Sequence, residues 1–557
     1  MAINKRILDE LEKNLTIGKL IDIVADLYPD VEAAIFDDLR KTWTEFHGDI
    51  MKLAIGLHKL GFKKGDKAGV WAKNIYEWMV AWFALPKIGV TLIPMDSWYQ
   101  PFEAEYILKH SEAVGLICTS DYIPMIESFR EKLPNLKHIV LMDSPEEIKT
   151  SMDGVVRMKD VMDVELSQEN IQKVQKIQDY IQKDEVTFIL YTSGTTGKPK
   201  GAQLTHYNIL RNTVDTANVM RCGPEDKYLI PVPFSHCFGN TLGITTATLT
   251  GSSMIPLLDQ TPSVAMRKVM DEHVTVAHGT PTHFIRYIRY LQEHPEIDVS
   301  HLRTGIIAGA PCPPDTMRGI MDVMHMQDIV IGYGLTEASP IITLTQPDDP
   351  FEYRVNSVGK AIPDIDVRIV DSDNNEVPVG EAGELVVKGY NVMKGYYKSE
   401  FQPIDEKGYL HTGDLATVDE NGYYKIVGRK KDMIIYGGFN VYPKAVEDFL
   451  IQHEDILEVA VVGVPDEEYG ELVTAIIRKP KESTLTEQDV VDYCYGTINS
   501  PSVPRYVRFD IKLPLSGRGK VQKYKLRNQL KKMKEEGNLG PKLVPTKVKE
   551  KHKQKNS

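Results

Sequence analysis

The chemistry of this chain is concentrated in eleven residues, Tyr191-Thr192-Ser193-Gly194-Thr195-Thr196-Gly197-Lys198-Pro199-Lys200-Gly201. Gly194, Gly197 and Gly201 let the backbone turn tightly and bring N–H groups close to an anion. The hydroxyls of Thr192, Ser193, Thr195 and Thr196 add donors, and Lys198 and Lys200 add charge. Such a set cradles phosphate, and a triphosphate is the ligand it suits best. The plainer alternative is a flexible polar loop between a strand and a helix, but the pattern is more specific than such a loop requires. It is not a Walker A loop, because Gly197-Lys198 is followed by Pro199 where that pattern needs Ser or Thr, which disfavours a P-loop kinase or ATPase.

Ordered elements must hold this loop. Val186 to Tyr191 reads as a strand before it, and a helix opens near Thr205 after it. Upstream, Ile50 to Leu60 carries apolar residues at helical spacing up to Gly61, and Ala68 to Trp71 and Val90 to Pro94 read as short buried strands. Strand alternating with helix predicts an α/β fold of mostly parallel sheets covered by helices, in two α/β subdomains at about 1–180 and 181–350. Residues 351–428 shift to short strands broken by Gly, Pro, Asp and Asn, a small β subdomain that completes an N-terminal domain of 1–430. A smaller α/β domain occupies 431–531. In it, Val441 to His453 is expected as a helix with Pro443 near its start, VAVVGV and VTAIIR as strands, and Thr486 with Asp489 as a capping box for a helix through Ile498. The Lys-rich end, 532–557, reads as a solvated tail.

Composition narrows the possibilities further. The chain has 557 residues, 66 Lys plus Arg against 78 Asp plus Glu, and a formal net charge of -12. That length predicts several structural units rather than one core. The mild acidity gives no basic face for a nucleic acid, and only the Lys-rich end suggests a weak contact with a membrane surface. Cys118, Cys222, Cys237, Cys312 and Cys494 form neither a CxxC pair nor a zinc pattern, which fits a reduced cytoplasm. The N-terminal MAINKRILDELEKNL lacks the apolar core of a secretory signal. The most apolar stretch, Met79 to Met95, contains Pro86 and Lys87 and falls short of the roughly 20 apolar residues of a spanning helix.

The loop resembles the signature of the adenylate-forming superfamily of acyl-CoA synthetases, peptide-synthetase adenylation domains and luciferases. That family's other motifs appear in order: Ala308-Gly309-Ala310-Pro311, Tyr333-Gly334-Leu335-Thr336-Glu337, Thr412-Gly413-Asp414, Gly428-Arg429-Lys430-Lys431-Asp432, Gly437-Gly438, and PLSGRGK ending at Lys520. The resemblance covers about residues 20 to 530. It implies a two-step reaction with ATP, Mg²⁺ and CoA, in which a carboxylic acid becomes an acyl-adenylate and the CoA thiol then displaces AMP. By the same resemblance, Glu337 holds Mg²⁺, Thr336 contacts the α-phosphate, and Tyr333 faces adenine against Gly309, Ala310 and Pro311. Asp414 and Arg429 fix the ribose, and Lys520 is the lysine that bridges carboxylate and phosphate. Lys431 is the hinge of a mobile C-terminal domain, and Gly437 and Gly438 line the CoA path. One departure stands out: Arg518 occupies a position where the family usually has Ser or Thr.

Pro233-Phe234-Ser235-His236-Cys237-Phe238-Gly239 resembles the family's P-x-x-H-x-x-G, whose His lies by the acyl pocket; a His satisfied within the core is the other reading. With Gly309 and Gly334, His236 and Cys237 are the expected acyl-pocket residues. Amino-acid-activating relatives place an Asp where this chain has the neutral Cys237, so a substrate without an amino group is favoured, a medium-chain fatty or ring-bearing acid. A stand-alone adenylation enzyme loading a carrier protein is the alternative. A luciferase-like oxygenase or a non-catalytic nucleotide sensor is a third reading, opposed by retention of Lys520 and Glu337. The expected enzyme is cytoplasmic, a monomer or homodimer whose partners are small molecules.

Overall fold

The computed structural model describes residues 3–192, 198–515 and 521–546. The chain divides into two compact units. The first holds Met1–Val367, Val386–His411 and Gly422–Tyr424, and the second Arg368–Leu385, Thr412–Asn421 and Lys425–Ser557.

Two α/β sheets build the first unit. One has seven strands in the spatial order Val155–Arg157, His138–Leu141, Gly115–Cys118, Lys67–Trp71, Thr91–Met95, Val186–Thr192 and Lys200–Thr205. All neighbours in it are parallel except the last pair. The other sheet has nine strands. Its parallel run is Asp328–Gly334, Thr304–Ile307, Val276–Ala277, Lys227–Ile230, Ser253–Pro256 and Glu32–Ile35. Antiparallel strands close both edges, Ile341–Leu344 then Lys360–Ala361 on one side and Arg40–Thr42 on the other.

The stretch too short to span a membrane is a buried helix, Tyr76–Lys87, then the buried strand Thr91–Met95. Every helix residue but Glu77 is buried. Trp82 stacks on Phe188 of the seven-stranded sheet with ring centroids 3.8 Å apart, and its indole N–H donates to Thr245 Oγ1 at 3.2 Å. Trp78 packs on Phe234, just past strand Lys227–Ile230 of the other sheet, at 5.2 Å. A helix apolar all round must be covered all round, and here both sheets cover it. Among the described residues no helix is long and apolar enough to cross a membrane.

This helix ends on a fully buried Lys87, whose Nζ donates to Gly18 O at 3.0 Å and Asp22 Oδ1 at 2.5 Å. Asp22 also pairs with His47 Nε2 and Gln178 Nε2, each at 2.7 Å. Burial opposes the Asp22 charge, but Lys87 and His47 outweigh it and hold the carboxyl well below the usual range. Burial pushes Lys87 down.

The short strands expected between 351 and 428 are present: Ile365–Val370, Gly383–Gly389, Leu410–Val418 and Tyr424–Arg429 form a four-stranded sheet in that order.

The second unit contains a five-stranded sheet ordered Phe439–Val441, Ile434–Tyr436, Gly470–Arg478 and Glu458–Asp466, with Tyr506–Arg508 parallel to Gly470–Arg478. Helices Pro443–Leu450 and Glu487–Cys494 share one hydrophobic cluster with Val461, Val473 and Ala475, while Lys523–Glu535 packs Leu526 and Leu530 with Val462, Val464 and Ile476. Three expectations shift. Val441 ends a strand, so the helix opens at Pro443. The helix begun by the Thr486–Asp489 capping box stops at Cys494, with Gly496 at φ 83° just beyond. Of the segment expected as a solvated tail from 532, the described residues pack on the domain: Leu539 lies in the core, Leu543 N–H donates to Arg505 O at 2.8 Å, and Thr546 hydrogen-bonds Asp492 through both N–H (2.7 Å) and Oγ1 (2.5 Å).

Asp22→Asn leaves a buried ammonium without its counter-charge and is expected to cost about 3–5 kcal/mol, read as a lowered Tm in thermal denaturation. Adding Lys87→Met to that variant should recover much of the loss.

Candidate active site

Strand Lys227–Ile230 is the point where the nine-stranded sheet reverses order: the next strand, Ser253–Pro256, lies on one side of it and Val276–Ala277 on the other. Ligands of open α/β sheets sit at the carboxyl ends of the strands beside such a reversal. There the chain places residues 233–239 and a buried π-helix, Phe238–Thr245. The neighbouring carboxyl ends place His278 to Thr280, then Gly309, Ala310 and Pro311, then the turn Thr336–Ala338. Ile307 and Ile331 are partners in adjacent strands, so the 309–311 segment leaves the sheet beside half-buried Tyr333, near the end of its strand.

Local sequence explains these turns. Gly309 has φ +86°, open to glycine. A Cβ on Gly334 would stand 1.7 Å from Pro340 O, so only glycine lets Leu335 N–H reach that carbonyl at 2.9 Å. Helix His206–Met220, opened by a Thr205–Asn208 capping box, anchors the strand after this turn: Asn212 accepts Ile341 N–H at 3.1 Å and donates to Ile341 O at 2.9 Å.

Glu337 is the centre of this arrangement. It is buried, its backbone carbonyl accepts Met393 N–H at 2.9 Å, and its Oε1 accepts from Tyr396 OH at 2.6 Å and Thr192 Oγ1 at 3.3 Å. Thr192 and Glu337 are 145 positions apart in sequence. The phosphate loop joins two antiparallel strands, with Thr192 opposite Lys200; the helix expected near Thr205 opens at His206, but strand Lys200–Thr205 lies between it and the loop. Lys200 Nζ sits 3.8 Å over the Phe401 ring and 5.4 Å from that of Tyr396, and Lys198 Nζ lies 5.6 Å over Tyr106. Ser193, Gly194, Thr195, Thr196 and Gly197, with Arg518 and Lys520, lie outside the described residues.

His236 is partly exposed, and its Nε2 pairs with Asp96 Oδ2 at 3.1 Å. Asp96 comes directly after strand Thr91–Met95; its Oδ1 accepts Trp98 N–H at 3.1 Å, and its carbonyl accepts the Trp71 indole N–H at 2.9 Å. Cys237 Sγ lies 3.7 Å from Thr336 Oγ1, joining the pocket motif to the phosphate motif. His278 accepts Ile306 N–H on Nδ1 at 3.1 Å and therefore donates from Nε2 to Leu242 O at 3.1 Å. Burial pushes His278 and His283 down to about 4, so both are neutral near pH 7. Sequence reading missed Asp96 and Tyr396. No motif marks either, although Tyr396 lies in a Gly-Tyr-Tyr turn.

In the second unit the structure pairs Asp414 with Arg429, Oδ1 to Nε at 2.7 Å, the carboxylate buried and the guanidinium half exposed. Gly413 N–H donates to Glu384 Oε1 at 3.1 Å, and Glu384 binds Lys430 at 2.8 Å. Lys431 lies in a short turn, Lys430–Asp432, where partial burial and neighbouring Arg429 and Arg527 lower its pKa despite Asp432. Gly437 and Gly438, both at positive φ, form the two-residue turn between Ile434–Tyr436 and Phe439–Val441.

The donor set suits a Mg²⁺ ion carried on a triphosphate. Among the described residues no three His, Cys, Asp or Glu side chains cluster to cage a metal, and a single carboxylate such as Glu337 is what Mg²⁺ takes when phosphate and water supply its other ligands.

The sequence matches the AMP-binding enzyme family over residues 21–397 and the AMP-binding enzyme C-terminal domain over 445–520. YngI of Bacillus subtilis (strain 168), whose name provisionally assigns it to the acyl-CoA synthetases, is 40% identical over 92% of this chain and 97% of its own. The mitochondrial medium-chain acyl-CoA ligase ACSF2 of Danio rerio is 37% identical over 93% of this chain and 88% of its own. The crystal structure of ATP-bound MatB from Rhodopseudomonas palustris, 27% identical, superposes with a TM-score of 0.79 over 93% of this chain and 100% of MatB. The chain belongs to the AMP-binding enzyme family. Within it the protein stands on the acyl-CoA synthetase branch and is a ligase.

The site's histidines set two expectations. Between pH 6.5 and about 4 the unfolded chain binds protons at His278 and His283 that the folded chain does not, so stability falls as pH drops through that window. Urea denaturation at pH 7.5 and 5 should show the loss, and His278→Gln should reduce it. Asp96→Asn weakens the hold on His236 and is expected to raise the acid KM by roughly tenfold, with the ATP KM unchanged, in pyrophosphate exchange.

Proposed function

We propose that this ligase joins a medium-chain fatty or ring-bearing carboxylic acid to CoA, forming AMP and pyrophosphate through an acyl-adenylate. The observation that carries this reading is the 3.7 Å contact between Cys237 and Thr336, which sets an uncharged pocket residue against the phosphate motif. In the first step a carboxylate oxygen attacks the α-phosphorus and pyrophosphate leaves. Thr336 donates to the α-phosphate and Lys198 and Lys200 offset charge on the triphosphate, while Glu337 would hold a Mg²⁺ ion that would supply further neutralisation of negative charge. Asp414 and Arg429 orient the ribose, Tyr333 and the 309–311 backbone receive adenine, and Lys520 bridges the reacting groups. In the second step the CoA sulfur attacks the acyl carbon, AMP leaves with the bonding pair, and the thiol proton passes to solvent. Lys431 serves as the hinge and the Gly437-Gly438 turn as the CoA path.

Three features support the acid class. Cys237 carries no charge to pair with a substrate ammonium, and the nearby Asp96 carboxylate is already engaged by His236. Phe234 packs against Trp78, and Phe238 lies 5.8 Å from neutral His278, so aromatic surface surrounds the motif. A relative sharing 37% identity carries the name medium-chain acyl-CoA ligase. The reading extends to a cytoplasmic enzyme, monomeric or homodimeric, without a nucleic-acid partner.

Purified protein with ATP, Mg²⁺ and CoA, offered acetate, hexanoate, octanoate, palmitate, benzoate and cyclohexanecarboxylate, is expected to yield thioester and AMP for the middle-length or cyclic acids. Mass spectrometry separates the outcomes. Preference for acetate or palmitate refutes the acid class, AMP only with a carrier protein in place of CoA supports the loading enzyme, and ADP without AMP removes the adenylate mechanism.

A further inference from the structure

Tyr396 belongs to none of the sequence motifs, yet three parts of the site meet on it. Its hydroxyl donates to Glu337 Oε1 at 2.6 Å. Its backbone bridges Ala202, beside which Gln203 N–H donates to Gly395 O at 3.1 Å and Tyr397 N–H to Gly201 O at 2.8 Å. Its ring stands 5.4 Å from Lys200 Nζ. The segment around Tyr396 thus docks as a further strand against Lys200–Thr205, on the far side from Val186–Thr192. In this pair the phenol is the donor, because an ionised carboxylate can only accept.

We propose that Tyr396 is a positioning residue that fixes the Glu337 carboxylate for Mg²⁺ by occupying Oε1 and locking the carboxylate to the phosphate-loop hairpin. Thr192 donates to the same oxygen at 3.3 Å, so two hydroxyls converge on Oε1, while Oε2 has no hydrogen-bond partner among the described residues. A carboxylate so pinned presents its other oxygen in one orientation, where it would hold a Mg²⁺ ion brought on phosphate. Because the same tyrosine is registered on the strand carrying Lys200, the acid and the lysine keep a fixed separation across the triphosphate. This inference rests on the reading of Glu337 as the Mg²⁺ ligand.

The test is calorimetry of ATP binding, without acid substrate, in saturating Mg²⁺ and in chelator. The ratio of the two affinities measures the coupling between nucleotide and ion. Tyr396→Phe keeps the ring, the backbone bridge and the Lys200 contact and removes one hydrogen bond to a charged group. It is expected to lower that ratio roughly tenfold, to leave affinity in chelator and the Tm near those of the parent, and to shift the Mg²⁺ requirement of pyrophosphate exchange upward by a similar factor, with kcat restored at high Mg²⁺. Glu337→Gln separates the two ideas. If Glu337→Gln loses the Mg²⁺ effect while Tyr396→Phe keeps it in full, Tyr396 has no positioning role and the Glu337 reading stands. If Glu337→Gln keeps the effect, the Glu337 reading fails and the proposal falls with it.

Discussion

A helix with no polar side dictates the architecture of the first unit. Tyr76–Lys87 can be stable in water only if it is covered on every face, and its tryptophans make that cover specific, Trp82 against Phe188 of one sheet and Trp78 against Phe234 beyond a strand of the other. The two sheets are therefore held by one shared layer, and the loops that leave their adjoining ends fall into the same neighbourhood. Phe234 is two positions from His236, so the aromatic contact that buries the helix also anchors the start of the acyl-pocket motif. Asn74 reinforces this anchor from the turn before the helix, donating to Val232 O and accepting Phe234 N–H, each at 2.9 Å.

The phosphate loop solves its electrostatic problem differently from a loop that opens a helix. A strand-to-helix loop aims the positive end of a helix at the anion. Here the loop joins a hairpin whose strands pair Thr192 with Lys200, and the next helix begins only after Thr205. On the proposed reading, neutralisation falls instead to side chains: lysines at 198 and 200, the hydroxyl of Thr336, and a carboxylate suited to an ion brought by the nucleotide. The aromatic bed of Phe401 and Tyr396 holds the Lys200 ammonium, which has no carboxylate partner among the described residues.

What could be read from sequence were short stretches whose chemistry is local. Gly309 and the Gly437-Gly438 turn have positive φ and Gly334 a close backbone approach, conditions that leave few alternatives to glycine. Helix Trp43–Leu60 and its Gly61 cap arise from periodicity in the same way. Strand Lys200–Thr205 was not legible, because KGAQLT carries no alternation strong enough to announce a strand and is fixed by pairing on both sides. Asp96 and Tyr396 were missed because their value lies in contacts 140 and 59 positions away along the chain, which no local pattern encodes. The segment from 532 misled by composition: its lysines dominate the average, yet single leucines at 539 and 543 suffice to dock it on a domain that already exists.

The contact between Cys237 and Thr336 ties together two properties that an engineer would prefer to adjust separately. A bulkier residue at 237 would press on the Thr336 hydroxyl, which on the proposed reading donates to the α-phosphate. A smaller one would free that hydroxyl to rotate. On the proposed reading, substrate range and turnover therefore share one adjustable joint, the contact of the thiol with the Thr336 hydroxyl.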